Sequence, residues 1–251
     1  MKTGRKNAFR RQVKQFNSKQ PATSGPSSVD LLFQKATAHH QAGKLPQAEA
    51  LCRQILQLSP LHSRALHLLG VIASQKGQYA NALELIDRAI QVNPDFAEAY
   101  YSRGNVLFAL QQYQAALESY DKAILLRPDH AEAHHNRGSA LNVLEQHEAA
   151  LESYDKAILL KPDYEQARSN RANALHALMQ LQAALEKYEK ALRLKPDDGS
   201  GKETGGGGSV GKEVVRIAKI TGKAEMKAAL DALPLDIHSH PAVSNLLNAD
   251  F

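Results

Sequence analysis

AEAYYSRGNVLFALQQYQAALESYDKAILLRPDH, residues 97–130, runs directly into AEAHHNRGSALNVLEQHEAALESYDKAILLKPDY, residues 131–164. The two stretches agree at most positions without a gap. Carried outward, the register places proline at Pro60, Pro94, Pro128, Pro162 and Pro196, a constant step of 34 residues. A fixed period in this range means one supersecondary unit copied and stacked. A unit of this size cannot close a globular active site by itself. Function is therefore expected on the surface that stacking creates, and binding is the first hypothesis.

With each proline at position 32, the units run 29–62, 63–96, 97–130, 131–164 and 165–198. Position 20 is Ala48, Ala82, Ala116, Ala150 and Ala184. Position 8 is Ala36, Gly70, Gly104, Gly138 and Ala172, small enough to let two helices of one unit approach. Position 27 is Ala89, Ala123, Ala157 and Ala191, with Ile55 in the first unit. Position 24 is large in the later units: Ile86, Tyr120, Tyr154 and Tyr188. Apolar residues recur with helical spacing, as in Tyr100, Gly104, Leu107 and Leu110, and again in Ala116, Tyr120, Ala123 and Ile124. Polar links such as Gln111-Gln112 separate the two halves. Each proline should stop its second helix, lacking the N–H and clashing with the preceding turn. Asp95 with Glu98, Asp129 with Glu132, and Asp163 with Gln166 have capping-box spacing at the start of the next helix.

This pattern resembles the tetratricopeptide repeat, a helix–turn–helix unit of the same length. The resemblance covers about two thirds of the chain and is closest in units three to five. Unit one is degenerate, with Lys35, His39 and Cys52 at usually apolar or small positions. Terminal repeats are expected to be atypical. The resemblance implies an all-α, right-handed α-solenoid of five helix–turn–helix units, to which the sequence adds a short helical C-terminal segment. It also implies a protein- or peptide-binding role, carried by the first helix of each unit.

Within the family, positions 2, 5, 6, 9, 12 and 13 face the ligand. Here position 6 supplies Ser102, Asn136 and Asn170, and position 9 supplies Asn105, Ser139 and Asn173. Asparagine offers two donors and two acceptor sites, so a row of them can pair with an extended backbone. The row at position 6 resembles the asparagine ladder in the repeat domain of O-linked N-acetylglucosamine transferases. Leu68 and Ser102 interrupt it in units two and three. The competing reading is that these asparagines tie neighbouring units together. Tyr101, Phe108, His135 and His176, at positions 5 and 12, would add aromatic contacts. Arg103, Arg137 and Arg171 recur at position 7. They form either a basic strip for acidic ligands or stems packed over the helix with solvated heads. The carboxylate-clamp domains of chaperone adaptors use Lys or Arg at positions 5 and 2. This chain has Tyr101, His135, Glu98 and Glu132 there, so that activity is disfavoured.

The net charge of +5 comes mainly from an N-terminal arm, residues 1–28, with Lys2, Arg5, Lys6, Arg10, Arg11, Lys14 and Lys19 and no acid. Its composition predicts disorder and a solubilising role rather than nucleic-acid binding. No apolar signal segment or membrane-spanning run is visible. One cysteine, Cys52, excludes an intrachain disulfide, and a reducing, cytoplasmic compartment is expected. None of the eleven histidines stands in a metal-binding motif. No phosphate loop or nucleophile elbow is present. Neither a metal, a cofactor nor a catalytic residue is assigned.

After Asp198 the repeat stops. Residues 199–209 are Gly- and Ser-rich, and Gly205–Ser209 matches an engineered flexible spacer; a natural linker is the alternative. In 210–251, Met226, Ala229, Leu230 and Leu233 share one face of a helix that Pro234 ends. Val243, Leu246 and Leu247 share a face of a second, short helix beginning at Pro241. Val214–Ile220 reads as a strand or a short helix. At about 40 residues this segment cannot bury a core alone. It is read as a tethered partner or substrate segment, or else as a C-terminal cap. Two further roles stay open for the whole chain: the substrate-recruiting part of a modifying enzyme (glycosyltransferase, sulfotransferase or oxygenase), and a chaperone-like assembly factor.

Overall fold

The computed structural model describes residues 27–194, with the backbone alone for Leu181 and for residues 184–194. The basic arm, the spacer and the segment 210–251 lie outside the described residues, and with them Met226, Leu230, Leu233, Val243, Leu246 and Leu247. The described residues form nine α-helices. They are α1 Ser28–Gln41, α2 Leu45–Leu58, α3 Ser63–Gln75, α4 Tyr79–Val92, α5 Ala97–Ala109, α6 Tyr113–Leu126, α7 Ala131–Val143, α8 His147–Leu160 and α9 Glu165–Leu194. The chain divides into two compact units, one ending at Arg137 and the other starting at Gly138, a boundary inside α7.

In the first unit, α1–α2, α3–α4 and α5–α6 are helical hairpins, and each hairpin packs on the next. Their shared core holds Ala36, Ala48, Cys52, Leu66, Ile72, Ala82, Ile86, Ala89, Ala99 and Val106. The degenerate first repeat closes like the others, with Ala36 and Cys52 fully buried. Ser27 caps α1 in a reciprocal capping box with Asp30.

The hairpin turn is the same each time. Position 15 takes a left-handed conformation: Gly43 at φ 70°, Gly77 at φ 72° and Gln111 at φ 60°. The next residue's N–H then donates back to the helix, as Lys44 to His39, Gln78 to Ala73 and Gln112 to Leu107, each at 2.9 Å. This six-to-one bond is the Schellman stop, which the left-handed residue makes possible. In the second unit Glu145 does the same at φ 61°, and Gln146 N–H donates to the Leu141 carbonyl.

The prolines behave as their chemistry requires. Helices end two residues ahead of them, and the intervening residue is extended: Ser59 at φ −140°, Asn93 at −130°, Arg127 at −140° and Lys161 at −139°. The expected capping boxes do not form. Phe96, not Asp95, is the N-cap of α5, and it makes no side-chain cap. Asp129 and Asp163 likewise sit in the post-proline turn, with α7 and α9 starting two residues later. The turn that follows proline uses one more residue than capping-box spacing allows.

The fifth repeat departs from the hairpin. Glu165–Leu194 is one continuous helix of 30 residues. Its residues at positions 8 and 24 differ in size, taken as a pair, from those of the other repeats. Where position 8 is glycine, the large residue at position 24 lies flat on it. A Cβ at Gly70 would stand 2.7 Å from Ile86 Cγ1, and one at Gly138 would stand 2.7 Å from the Tyr154 ring. Where position 8 is Ala36, position 24 is the small Cys52. The fifth unit alone combines alanine, Ala172, with tyrosine, Tyr188. Closing it in the same geometry would drive the Ala172 methyl into that ring. Met179 at position 15 also favours continued helix over a left-handed turn.

Candidate peptide-binding site

In the first unit, residues at positions 5, 6 and 9 of α3, α5 and the start of α7 form two hydrogen-bonded groups of side chains. Asn136 Nδ2 donates to Asn105 Oδ1 at 2.8 Å and to Tyr101 OH at 3.2 Å. Tyr120 OH donates to the same Asn105 Oδ1 at 3.0 Å. Burial holds the Tyr120 phenol well above its ordinary pKa, so it remains a donor. His135 Nδ1 lies 3.0 Å from Asn136 Oδ1. One repeat earlier, His67 Nε2 lies 2.8 Å from Ser102 Oγ. Burial lowers the His67 pKa to about 4, so the imidazole is neutral at pH 7. Position 5 of one repeat thus meets position 6 of the next, at a sequence distance of 35.

This geometry decides the role of Asn136. Both of its amide protons are spent on Tyr101 and Asn105, so it ties repeats together. The same bonds orient Asn105. Asn105 Oδ1 accepts twice, from the Tyr120 hydroxyl and from the Asn136 amide, and the residue itself is half-buried. Aromatic rings flank it. Tyr101 packs 4.6 Å from the His130 ring and 6.2 Å from Tyr120, and Phe108 meets Tyr113 edge-on at 5.2 Å. Tyr101, Ser102, Asn105 and Phe108 are all half-buried. Glu98 is ion-paired with Arg127, which outweighs its desolvation and holds its pKa below the usual carboxylate range.

In the second unit, Ser139 Oγ accepts from Tyr154 OH at 3.4 Å, the counterpart of the Asn105–Tyr120 bond. Asn170 is half-buried, whereas Asn173 and His176 are exposed, and Gln180 Nε2 lies 2.9 Å from His176 Nε2.

The arginines at position 7 form no basic strip. Arg103 pairs with Asp87 at 2.8 Å and Arg137 with Asp121 at 2.6 Å, and Arg171 pairs with Asp155. Each acid is position 25 of the preceding repeat. Position-by-position reading missed His67 and Tyr120; the step of 35 and the 15-residue Asn105–Tyr120 spacing were the signals. Cys52 is buried, and desolvation pushes its thiol up to about 11, so it packs rather than reacts. Among the described residues, no three His, Cys, Asp or Glu side chains converge on a point that could hold a metal. No described helix is long and apolar enough to cross a membrane.

Hairpins of this length, with a small residue at position 8 and ligand-facing polar rows, define a repeat-type interaction scaffold. Profiles of the TPR repeat match residues 70–111 and 104–142, and tetratricopeptide-repeat profiles match 131–164 and 165–198. The chain belongs to the tetratricopeptide repeat family. Compared with curated proteins, it matches none. Among solved structures it is similar to MamA, at 22% identity and a TM-score of 0.52, covering 82% of this chain and 97% of that one. It is similar to YrrB, described as a TPR protein with an unusual peptide-binding site, at 21% identity and a TM-score of 0.54, covering 76% and 94%. It is also similar to a mutant O-GlcNAc transferase of Thermobaculum terrenum, at 31% identity and a TM-score of 0.51. That match covers 55% of this chain and 27% of the transferase.

Proposed function

We propose that the chain is a scaffold whose first-helix faces hold a polypeptide, with Asn105 as a fixed donor to the ligand backbone. The observation that supports this most is the double acceptance at Asn105 Oδ1, which occupies the oxygen and keeps the NH2 as the donor for a ligand. A peptide carbonyl bonded there would replace a water, and the flanking rings would add apolar contact. Of the remaining candidates in the first unit, Ser102, His135 and Asn136 act mainly by fixing this face. In the second unit, Ser139, Asn170, Asn173 and His176 are candidates for contacts of their own. The ligand carried by the chain itself is 210–251. Its tether raises the effective concentration to the millimolar range, enough to hold a weak complex.

The test uses the full chain with a protease site placed among Gly205–Gly208. After cleavage, 210–251 should co-elute with the repeats at micromolar concentration. Complete separation contradicts the reading. A second reading, recruitment of substrates for a modifying enzyme, is favoured only by the match to part of the transferase. It predicts that the repeats also retain peptides unrelated to 210–251.

A further inference from the structure

On α3, α5 and α7, positions 8 and 11 are covered by the second helix of the same repeat. Ala73 is 4% exposed and Leu107 3%, and Leu141 is 2% exposed. On α9 the same positions lie open. Ala172 is exposed, Leu175 is 39% exposed, and Met179 beyond them is 59% exposed. At i, i+3 and i+7 they line one face of the helix. The fifth repeat thus presents the seat for a second helix, while its own second-helix sequence continues straight on as α9.

We infer that residues 222–234 of this chain dock on that face as a substitute second helix. This rests on the reading that 210–251 is held by its own chain. Setting Pro234 at position 32 aligns the segment with the second-helix template. Gly222 then falls at position 20, where every repeat has alanine. Ala229 falls at position 27 and Leu230 at position 28, against Ala123 and Ile124 or Ala157 and Ile158. Position 24, the residue that meets position 8, becomes Met226. Methionine is unbranched and adapts to irregular gaps, so it can yield to the Ala172 methyl where the rigid Tyr188 ring cannot. The mismatch that opens the fifth hairpin is thus relieved by this segment.

The reach agrees. From Leu194 back to Leu175 is about 28 Å along the helix axis. The residues 195–221 between α9 and the segment span about 29 Å root-mean-square if flexible. The segment would return antiparallel to α9, as each second helix does to its first. Residues 235–251 would remain as the stretch available to the first-helix faces.

Hydrogen exchange on the full chain, read over 222–234, tests this. The expected result is exchange slowed by about tenfold or more, equal in dilute and concentrated solution. Leu175→Asp, on a surface already exposed, should abolish the protection, and Asn105→Asp should leave it. Protection that rises with concentration would make a second copy the occupant and overturn the proposal. Protection that survives Leu175→Asp would place the segment elsewhere and overturn it as well. Absence of protection overturns it too. If the cleaved 210–251 still co-elutes in that case, only the docking on α9 fails; if it is lost, the reading beneath it fails.

Discussion

Residues 97–126 and 165–194 share about half their letters in the same register, yet the first stretch folds back as α5 and α6 and the second runs on as α9. Both carry alanine at position 20, tyrosine at position 24 and alanine at position 27. They differ where two helices must touch. Gly104 accepts the Tyr120 ring, and the fifth repeat has Ala172 in the place of that glycine. Burial adds to the contrast. An internal second helix is covered on two sides, by its own first helix and by the next repeat. That of the last repeat has one neighbour to gain.

The largest effect should come from repairing the fifth repeat. Ala172→Gly with Met179→Gly restores both the seat and the left-handed turn. The distance between spin labels near 168 and 190 should fall from about 33 Å, the helical rise, to that of adjacent helices at about 10 Å plus label length. An unchanged distance would remove the size conflict as the cause.

The reverse change, Gly104→Ala, should destabilise the first unit by about 1–3 kcal/mol in urea unfolding, as overpacking does. In a Tyr120→Cys background, which matches the Ala36–Cys52 combination, the same Gly104→Ala change should cost less than it does beside tyrosine. An equal cost in both backgrounds would break the pairing rule.

Acid should act through His67. Its folded pKa, lowered by burial to about 4, lies below the unfolded value of 6.5. The unfolded chain therefore binds the extra proton first. The stability contribution is complete above pH 6.5 and is lost as pH falls toward 4, by at most about 1.4 kcal/mol per pH unit. His67→Gln should flatten that slope in melts between these values.

The smallest effect is expected at the arginine pairs. Asp121→Asn removes a half-exposed partner of Arg137 and should cost about 0–1 kcal/mol. A loss of peptide retention with it would reinstate the basic strip as a binding surface.

Helix positions, turn positions and repeat boundaries were legible in the sequence because period and proline dictate them. The capping boxes were misread because spacing alone does not reveal how many residues the Pro-Asp turn consumes. The continuous fifth helix was not legible, because its second half carries the same Ala, Tyr and Ala at positions 20, 24 and 27 as the closed repeats. Of the candidate face, the register of Tyr101, Asn105 and Asn136 was legible, but their hydrogen bonds involve Tyr120 from the second helix, which no reading of the first helix supplies.

The most direct test is calorimetric titration of the linker-cleaved, tail-depleted protein with a synthetic 210–251 peptide, beside the Asn105→Asp variant. That variant keeps the acceptor for Tyr120 and Asn136 and deletes only the outward donors. The account predicts saturable binding to the unmodified protein, weakened by about tenfold or more in the variant, with the urea midpoint held. Equal affinity in both, or no binding heat from either, would contradict it.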